Sequence, residues 1–405
     1  MHVLIVGGGL GGLSLAQTLR KQGISFEVFE RDEAVDSRFQ GWAIGIHSII
    51  GDLKASFPDD MPDMKEATDH LQPLDLPCQI GLYYPGRPGR VGVQDTPENP
   101  IVRAERLRLR HWLLTNIDVK WNKRVRTVSY NDHGVEVFFE DGTSAKGDIL
   151  VGADGINSVV REQLLQTPNS SLLKTVPLAA IIGEVTLHGD AFKRQLELGH
   201  SAYIYVAPDL GCWMFGGLHH ALPDGVSGKH YWMLMKPDPT VANPNHWLQT
   251  ATQQEKLDHA LALVAKLPPK FREIYEKTPA SGIKQESHIW RDLELESLPA
   301  GRVVLVGDAA HAMTPFRGEG GYHAFIDSMK LGKILGSVDG SDIDSIKKAV
   351  EEYNKEMLER GVESVRASRG EQSAQKTKSA NAKVMSAGQE ARPLPEVEIV
   401  LTARS

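Results

Sequence analysis

A chain of 405 residues, 41% hydrophobic and 24% charged, can build one large or two ordinary globular domains with a substantial core. Its net charge of −7 argues against nucleic acid as a partner, for which a basic surface is expected. Two distant cysteines, Cys78 and Cys212, and no run of membrane-spanning length argue against a disulfide framework, a thiolate metal site and stable membrane insertion. The apolar N-terminus lacks the basic flank of a signal peptide, so a cytoplasmic location is expected.

Residues 3–6 are apolar and rich in β-branched side chains, as in a buried parallel strand. Gly7, Gly9 and Gly12 follow in GxGxxG spacing. Residues 13–21 then have helical spacing, with Leu15, Ala16 and Leu19 on one face, and residues 26–29 form a second strand ending at Glu30 and Arg31. Each glycine has a task in such a unit: a tight turn, close backbone approach to a pyrophosphate, and close helix–strand packing. The N-terminus of that helix offers free N–H groups to phosphate, and Glu30 stands where a ribose acceptor belongs. The order points to a dinucleotide site without separating NAD from FAD.

Residues 38–47 read as a loop entering a strand, and residues 58–100, rich in Pro, Asp and Gly, as excursions that could include a lid. Arg103, Arg106, Arg108 and Arg110 interleave with Leu107, Leu109, Leu113 and Leu114, predicting a basic amphipathic helix whose arginines mostly form a solvated face. Residues 125–130 and 135–140 form a hairpin around Asn131 to Gly134. Residues 148–155 are a second buried strand ending in a Gly/Asp turn, with Ser158, Val159 and Arg161 on the next helix. Residues 172–300 differ in texture. Alternating segments at 202–206, 212–218 and 231–235, with Trp213, Trp232, Trp247 and Trp290, predict an antiparallel sheet, and a helix at 257–266 is stopped by Pro268 and Pro269. A buried strand at 303–306 then runs through a small-residue loop into a helix at 322–335. Lys- and Glu-rich helical patterns reach about residue 383, and the end, with Pro393 and Pro395, reads as a loose tail.

Three motifs taken together carry a resemblance. Gly7 to Gly12 with Glu30 is the first. Gly152-Ala153-Asp154-Gly155-Ile156-Asn157-Ser158-Val159-Val160-Arg161 is the second. Gly307-Asp308-Ala309-Ala310-His311, followed by Pro315, Gly318, Gly320 and Gly321, is the third. In order and spacing over residues 1–335 the chain resembles the FAD-dependent aromatic hydroxylases, the single-component flavoprotein monooxygenases. Gln40-Gly41-Trp42 and residues 316–321 look most like fungal members acting on secondary metabolites. The resemblance implies an α/β fold: a Rossmann-like FAD-binding domain (residues 1–170 and 295–340, with excursions at about 40–100), an interleaved antiparallel-sheet substrate domain (171–294), and a C-terminal helical region and tail (341–405). It implies tightly but non-covalently bound FAD, NADPH or NADH as transient reductant, and a small-molecule substrate with O2. The implied chemistry is hydroxylation or epoxidation of an electron-rich compound through a flavin C4a-hydroperoxide.

The resemblance implies flavin contacts at Gly7, Gly9, Leu10, Gly12, Glu30, Arg31, Arg106, Asp154, Asp308, Pro315, Gly318, Gly320 and Gly321. The chemistry of these residues agrees. Asp308 after a strand end can accept from a ribityl hydroxyl or cap a helix. Pro315 stiffens its loop, the glycines let backbone lie against a flat ring, and the next helix N-terminus favours negative charge on a reduced flavin. Asp154 and Gly155 either couple FAD and NAD(P)H handling, as the resemblance implies, or simply make a turn. Tyr322 departs from the family, where a small polar residue often stands; it either packs or faces the substrate. Trp42, Ile44, His47, Tyr203, Tyr205, Trp213, Phe215 and His219 are substrate-contact candidates. His219 and His220 are open to acid/base use, and no catalytic residue or metal ligand is named. A second GxGxxG unit is missing, which favours the single-component class. The competing readings are an FAD-dependent reductase or dehydrogenase without oxygen insertion, and an FAD-scaffolded binding protein that escorts a lipidated partner.

Overall fold

The computed structural model describes residues 1–86, 90–370 and 392–404. A five-stranded parallel sheet runs in the order Val303–Leu305, Ile149–Gly152, His2–Val6, Ser25–Phe29, Val119–Lys120. Its central strands are buried on both faces, as their unbroken Val, Ile and Leu content requires. The helix Leu10–Gln22 crosses from the first strand to the second and stops at Gly23, which takes the left-handed φ of 68°. The helix Gly320–Leu335 lies against it. Ser328 Oγ donates to the Gly11 carbonyl at 2.8 Å, and a Cβ on Gly332 would lie 2.4 Å from Thr18 Cγ2, so the contact needs glycine.

The second layer is a seven-stranded sheet in the order Leu178–His188, Ser227–Pro237, Cys212–Ala221, Ala202–Ala207, Gln79–Tyr83, Val91–Gln94, Arg392–Pro393. Period-two alternation divides its side chains. Tyr203, Met214, Trp232 and Leu234 point to one face, where the helices Gly189–Leu198, Gln253–Val264 and Pro269–Glu276 complete a core. Trp232 is fully buried there, and a Cβ on Gly183 would sit 2.3 Å from its ring. The opposite face, with Ile204, Trp213, Phe215, Tyr231 and Met233, looks toward the parallel sheet. The fold is thus a mixed α/β architecture with a Rossmann-like element, as expected. The hairpin at 125–140 also forms, as strands Val125–Asn131 and Gly134–Phe139.

Three expectations need correction. Within residues 58–100 the described segments Gln79–Tyr83 and Val91–Gln94 are sheet strands and no lid: they supply two of the seven strands, and Gln79–Tyr83 pairs in parallel with Ala202–Ala207. The arginine-rich stretch is a strand, Ile101–Glu105, and then a helix, Arg106–Leu113, because the Glu105 carboxylate accepts the N–H groups of Leu107 and Arg108 and starts the helix there. The end of the chain is not loose. Arg392–Pro393 pairs with Val91–Gln94, Ile399 is buried in the second core, and the Arg404 N–H donates to the Asp224 carbonyl. Of the Lys- and Glu-rich helical pattern, Ile343–Ser368 is one long helix; the part at 371–383 lies outside the described residues.

Candidate active site

A cavity of about 700 Å³ opens between the parallel sheet and the inner face of the seven-stranded sheet. Gly7, Gly9, Leu10 and Gly11 form one end. The helix Leu10–Gln22 begins there at Gly9 with no side-chain cap, so its first N–H groups face the cavity. Gly12 does not line the cavity. A Cβ on it would lie 1.9 Å from the Gly7 carbonyl oxygen, so its role is helix–strand packing.

Glu30 lines the same end and also holds the glycine loop: its Oε2 accepts the Gly8 N–H at 2.7 Å and its Oε1 the Asp32 N–H at 3.0 Å. Arg31 is an exposed part of this rim. Arg110 grips the loop from the other side. It donates to the carbonyls of Gly8 at 2.9 Å and Val35 at 2.7 Å, and lies 3.6 Å from the carboxylates of Glu30 and Asp32. Burial depresses its pKa, and the two acids oppose that. The solvated-face reading therefore fails for Arg103 and Arg110, both buried. The available signal was the i, i+4 spacing of Arg106 and Arg110, which sets both on one helix face.

Arg106 differs from its neighbours. It lines the cavity, and its side chain has no hydrogen bond or ion pair with any described residue. Burial depresses its pKa, with Asp308 the first opposing charge. Asp308 is the first residue of the short helix Asp308–His311 and also faces the cavity with no hydrogen bond to a described residue. It therefore serves as no cap. Its crowded surroundings raise its pKa, against the pull of His311, Arg106 and Arg161. Pro315, Gly318, Gly320 and Gly321 complete this side, where the helix Gly320–Leu335 also begins without a side-chain cap.

Asp154 lines the cavity, but its carboxylate is taken up locally: it accepts from Ser158 Oγ at 2.5 Å and from the N–H groups of Val159 and Val160 at 2.7 and 3.2 Å. These bonds shape the turn into the helix Val159–Leu165. Arg161 of the same motif is fully buried and donates to the Ala309 carbonyl at 2.9 Å, tying the second motif to the third.

The sheet wall is apolar. The substrate-contact candidates Ile44, Trp213 and Phe215 line the cavity, and Ile80, Ile204, Tyr231, Met233 and Met235 join them. Phe316, from the Pro315 loop, meets Trp213 edge-on with ring centroids 6.1 Å apart. Cys78 also lines the wall, its thiol pushed up to about 12 by burial. Tyr203 is a correction: alternation turns it to the helix-covered face, where its hydroxyl donates to Gln195 at 3.1 Å, and Tyr205 packs on Phe271 on that side. His219 is another; it lies off the cavity, 3.1 Å from Glu105 Oε1, with His220 against it. Trp42 does not line the cavity either. It stacks on Tyr231 at 4.3 Å and 4°, and its Nε1 donates to Glu184. Tyr322 packs against the first core beside His47, which does line the cavity.

Sequence reading missed Tyr231, Met233 and Met235. Their strand was recognised, but which of its faces met the cavity was not. Behind Tyr231 lies Arg103, which donates to the carbonyls of Ser201 and Leu218 and, at 2.6 Å, to the Tyr231 oxygen.

The donor set fits FAD. Two uncapped helix N-termini suit anionic groups, a carboxylate without partner suits ribityl hydroxyls, and glycine backbone lies open at both motifs. Comparison with known proteins agrees. A model described as an FAD binding domain matches residues 99–368, and an NAD(P)-binding Rossmann-like domain matches residues 5–38. The FAD-dependent monooxygenase thnD of Trichoderma harzianum is 60% identical over 91% of this chain and 92% of its own. The FAD-dependent monooxygenase phnB of Penicillium herquei is 29% identical over 91% and 89%. The crystal structure of Klebsiella pneumoniae HpxO complexed with FAD and uric acid shares the fold, with a TM-score of 0.69 at 21% identity, covering 92% of this chain and 87% of that one. These likenesses set aside the reductase and escort readings: the chain belongs to the family of FAD-dependent monooxygenases.

Proposed function

We propose that the glycine-lined end of the cavity holds FAD and that the sheet wall holds a neutral, flat aromatic compound of secondary metabolism, in a cytoplasmic enzyme. Bound FAD, with NAD(P)H and O2 as co-substrates, would supply the redox and oxygen-transfer chemistry. The protein's own groups would do the rest. Asp308 would accept from the ribityl chain, and Arg106 would set a positive charge beside the flavin. The N–H groups at Gly320 and Gly321 would face the ring. Trp213, Phe316 and Met233 would keep water from the reacting carbon.

One observation carries the choice of a neutral substrate. Arg103, behind Tyr231 on the strand Ile101–Glu105, is committed to two backbone carbonyls and Tyr231. Among the described residues the seven-stranded sheet puts no cation on the cavity wall, Arg106 is assigned to the flavin end beside Asp308, and desolvating an unpaired carboxylate is costly. The Tyr231 oxygen accepts from Arg103, which leaves its own O–H to donate to a substrate hydroxyl or carbonyl. The experiment is a panel of fused-ring phenols and matching aromatic carboxylic acids, scored by stimulated NADPH oxidation and product formation. The neutral phenols should stimulate; preference for the carboxylates would overturn the reading. Among the described residues no helix is long and apolar enough to cross a membrane.

A further inference from the structure

Asp327, on the helix Gly320–Leu335, is fully buried and touches no cavity surface. Its Oδ2 accepts the Gly307 N–H at 2.8 Å and stands 2.6 Å from His311 Nε2. Its Oδ1 accepts from Arg360 Nη2 at 2.7 Å. One carboxylate thus holds both ends of the short helix that begins with Asp308. Gly307 sits at φ 60° and ψ −140°, where a side chain is strained, and a Cβ there would also press on Ala324 Cβ at 3.1 Å. With this unusual turn pinned through its N–H, the direction of the next carboxylate, that of Asp308, is set.

The counter-charge comes from elsewhere. Arg360 lies on the long C-terminal helix, is held by Glu356 at 3.0 Å, and donates to His323 Nδ1 at 2.8 Å. His323 Nε2 meets Ser364 Oγ at 2.7 Å. Burial lowers the His323 pKa to about 3, so it stays a neutral acceptor for Arg360. Burial alone would raise the Asp327 pKa, but His311 and Arg360 outweigh it and keep the group ionised. The packing is equally specific: a Cβ on Gly361 would lie 2.8 Å from His311 Cβ.

We infer that Asp327, charge-compensated by Arg360 of the C-terminal helix, is a positioning residue that aims the Asp308 carboxylate at the flavin. This rests on Asp308 being a flavin ligand, as proposed above. The helix Ile343–Ser368 then takes part in cofactor binding without contributing to the cavity wall.

The test is a double-mutant cycle on FAD affinity. Deflavinated protein is titrated with FAD, and the apoprotein's melting point is read in parallel. Asp308→Ala and Asp327→Asn should each weaken binding about tenfold or more, the worth of one charge-assisted hydrogen bond. The double variant should lose little beyond the weaker-binding single variant, because Asp327 acts through Asp308. Multiplied losses in the double variant, or a lowered apoprotein melting point with unchanged FAD affinity in Asp327→Asn, would overturn the inference. Wild-type affinity in Asp308→Ala would instead defeat the ligand reading on which it rests. If Asp327→Asn does not fold, Arg360→Lys, which keeps the charge but changes the geometry, enters the same cycle. A severalfold weakening that is non-additive with Asp308→Ala supports the inference; unchanged or multiplicative behaviour overturns it.

Discussion

Gly9 and Gly12 stand three residues apart in one motif, yet alanine should act on them in opposite ways. At Gly12 the added Cβ would lie 1.9 Å from the Gly7 carbonyl oxygen and 3.2 Å from Ile5 Cγ2. The first contact is backbone, so the helix or the turn must move by more than an ångström. Such overpacking costs about 1–3 kcal/mol, of which the better helix propensity of alanine returns at most about 1 kcal/mol. At 405 residues the unfolding entropy is about 0.85 kcal/mol/K, so the apoprotein should melt lower by up to about 3.5 °C if it unfolds cooperatively. At Gly9 the backbone is at φ −90°, open to any residue, and a Cβ would meet nothing within 4 Å. Loss of glycine at the N-cap costs some tenths of a kcal/mol, and the stiffer unfolded chain offsets it by about 0.4–1 kcal/mol. Apoprotein stability should not change. The methyl group would instead occupy the space a pyrophosphate must approach, separating it from the helix N–H groups. Loss of one such bond weakens FAD binding roughly ten- to a hundredfold. Melting curves of the apoproteins and FAD titrations by fluorescence quenching read both quantities. Wild-type FAD affinity in Gly9→Ala, or equal destabilisation by the two variants, would refute the reasoning.

The arginines divide in the same manner. Arg106→Met should weaken FAD binding at unchanged apoprotein stability, whereas Arg110→Met should lower stability too, since it strips two carbonyls of their donor, leaves Glu30 without its cation and leaves Asp32 with Arg38 alone; melting points and titrations separate them. Met233→Ala should raise the substrate KM, while Tyr203→Phe should leave KM alone and shift only the melting point, because the two side chains lie on opposite faces of the sheet. Ile399→Ala should cost about 2 kcal/mol or more in urea unfolding, since that side chain is 2% exposed; a loose tail would give no change. Acid should destabilise the protein above the range where carboxylates titrate. Burial lowers the pKa of His70 and His230 to about 4 and of His323 to about 3. The unfolded chain takes up protons near pH 6.5 that the native state refuses. Stability is therefore full above that pH and falls at about 1.4 kcal/mol per pH unit for each histidine as pH drops toward 4. A urea midpoint that is flat from pH 7.5 to 5 would contradict this.

The nucleotide-binding element was legible because its signals are local. Strand, glycines, helix and acid follow one another within thirty residues, and their spacing alone marks the unit. The motif at Asp308 was legible for the same reason. The sheet wall was not. Alternation at 202–206 and 231–235 fixes which side chains share a face, but only the long-range pairing and the three covering helices decide which face meets the cavity. Tyr203 and Tyr231 were thus equally plausible in sequence and lie on opposite sides in the structure. The arginine stretch misled for another reason. Arg103 and Arg110 find their acceptors on segments about one hundred residues away, at Leu218 and Gly8, and isolated periodicity reads such residues as solvated. Gln79–Tyr83 and Val91–Gln94 pair locally, but they are short, and their other partners, Ala202–Ala207 and Arg392–Pro393, lie across the chain, so this stretch and residues 392–399 look like loop and tail.

A flavin monooxygenase must carry oxygen from dioxygen into an organic product. The most direct measurement supplies the FAD-loaded protein with NADPH, heavy-isotope dioxygen and the panel of neutral fused-ring phenols, and reads product mass together with peroxide. A product bearing one heavy oxygen atom from dioxygen, formed in proportion to NADPH oxidised, is expected. NADPH oxidation that yields only peroxide across the panel, or a product whose new oxygen comes from water, would contradict it.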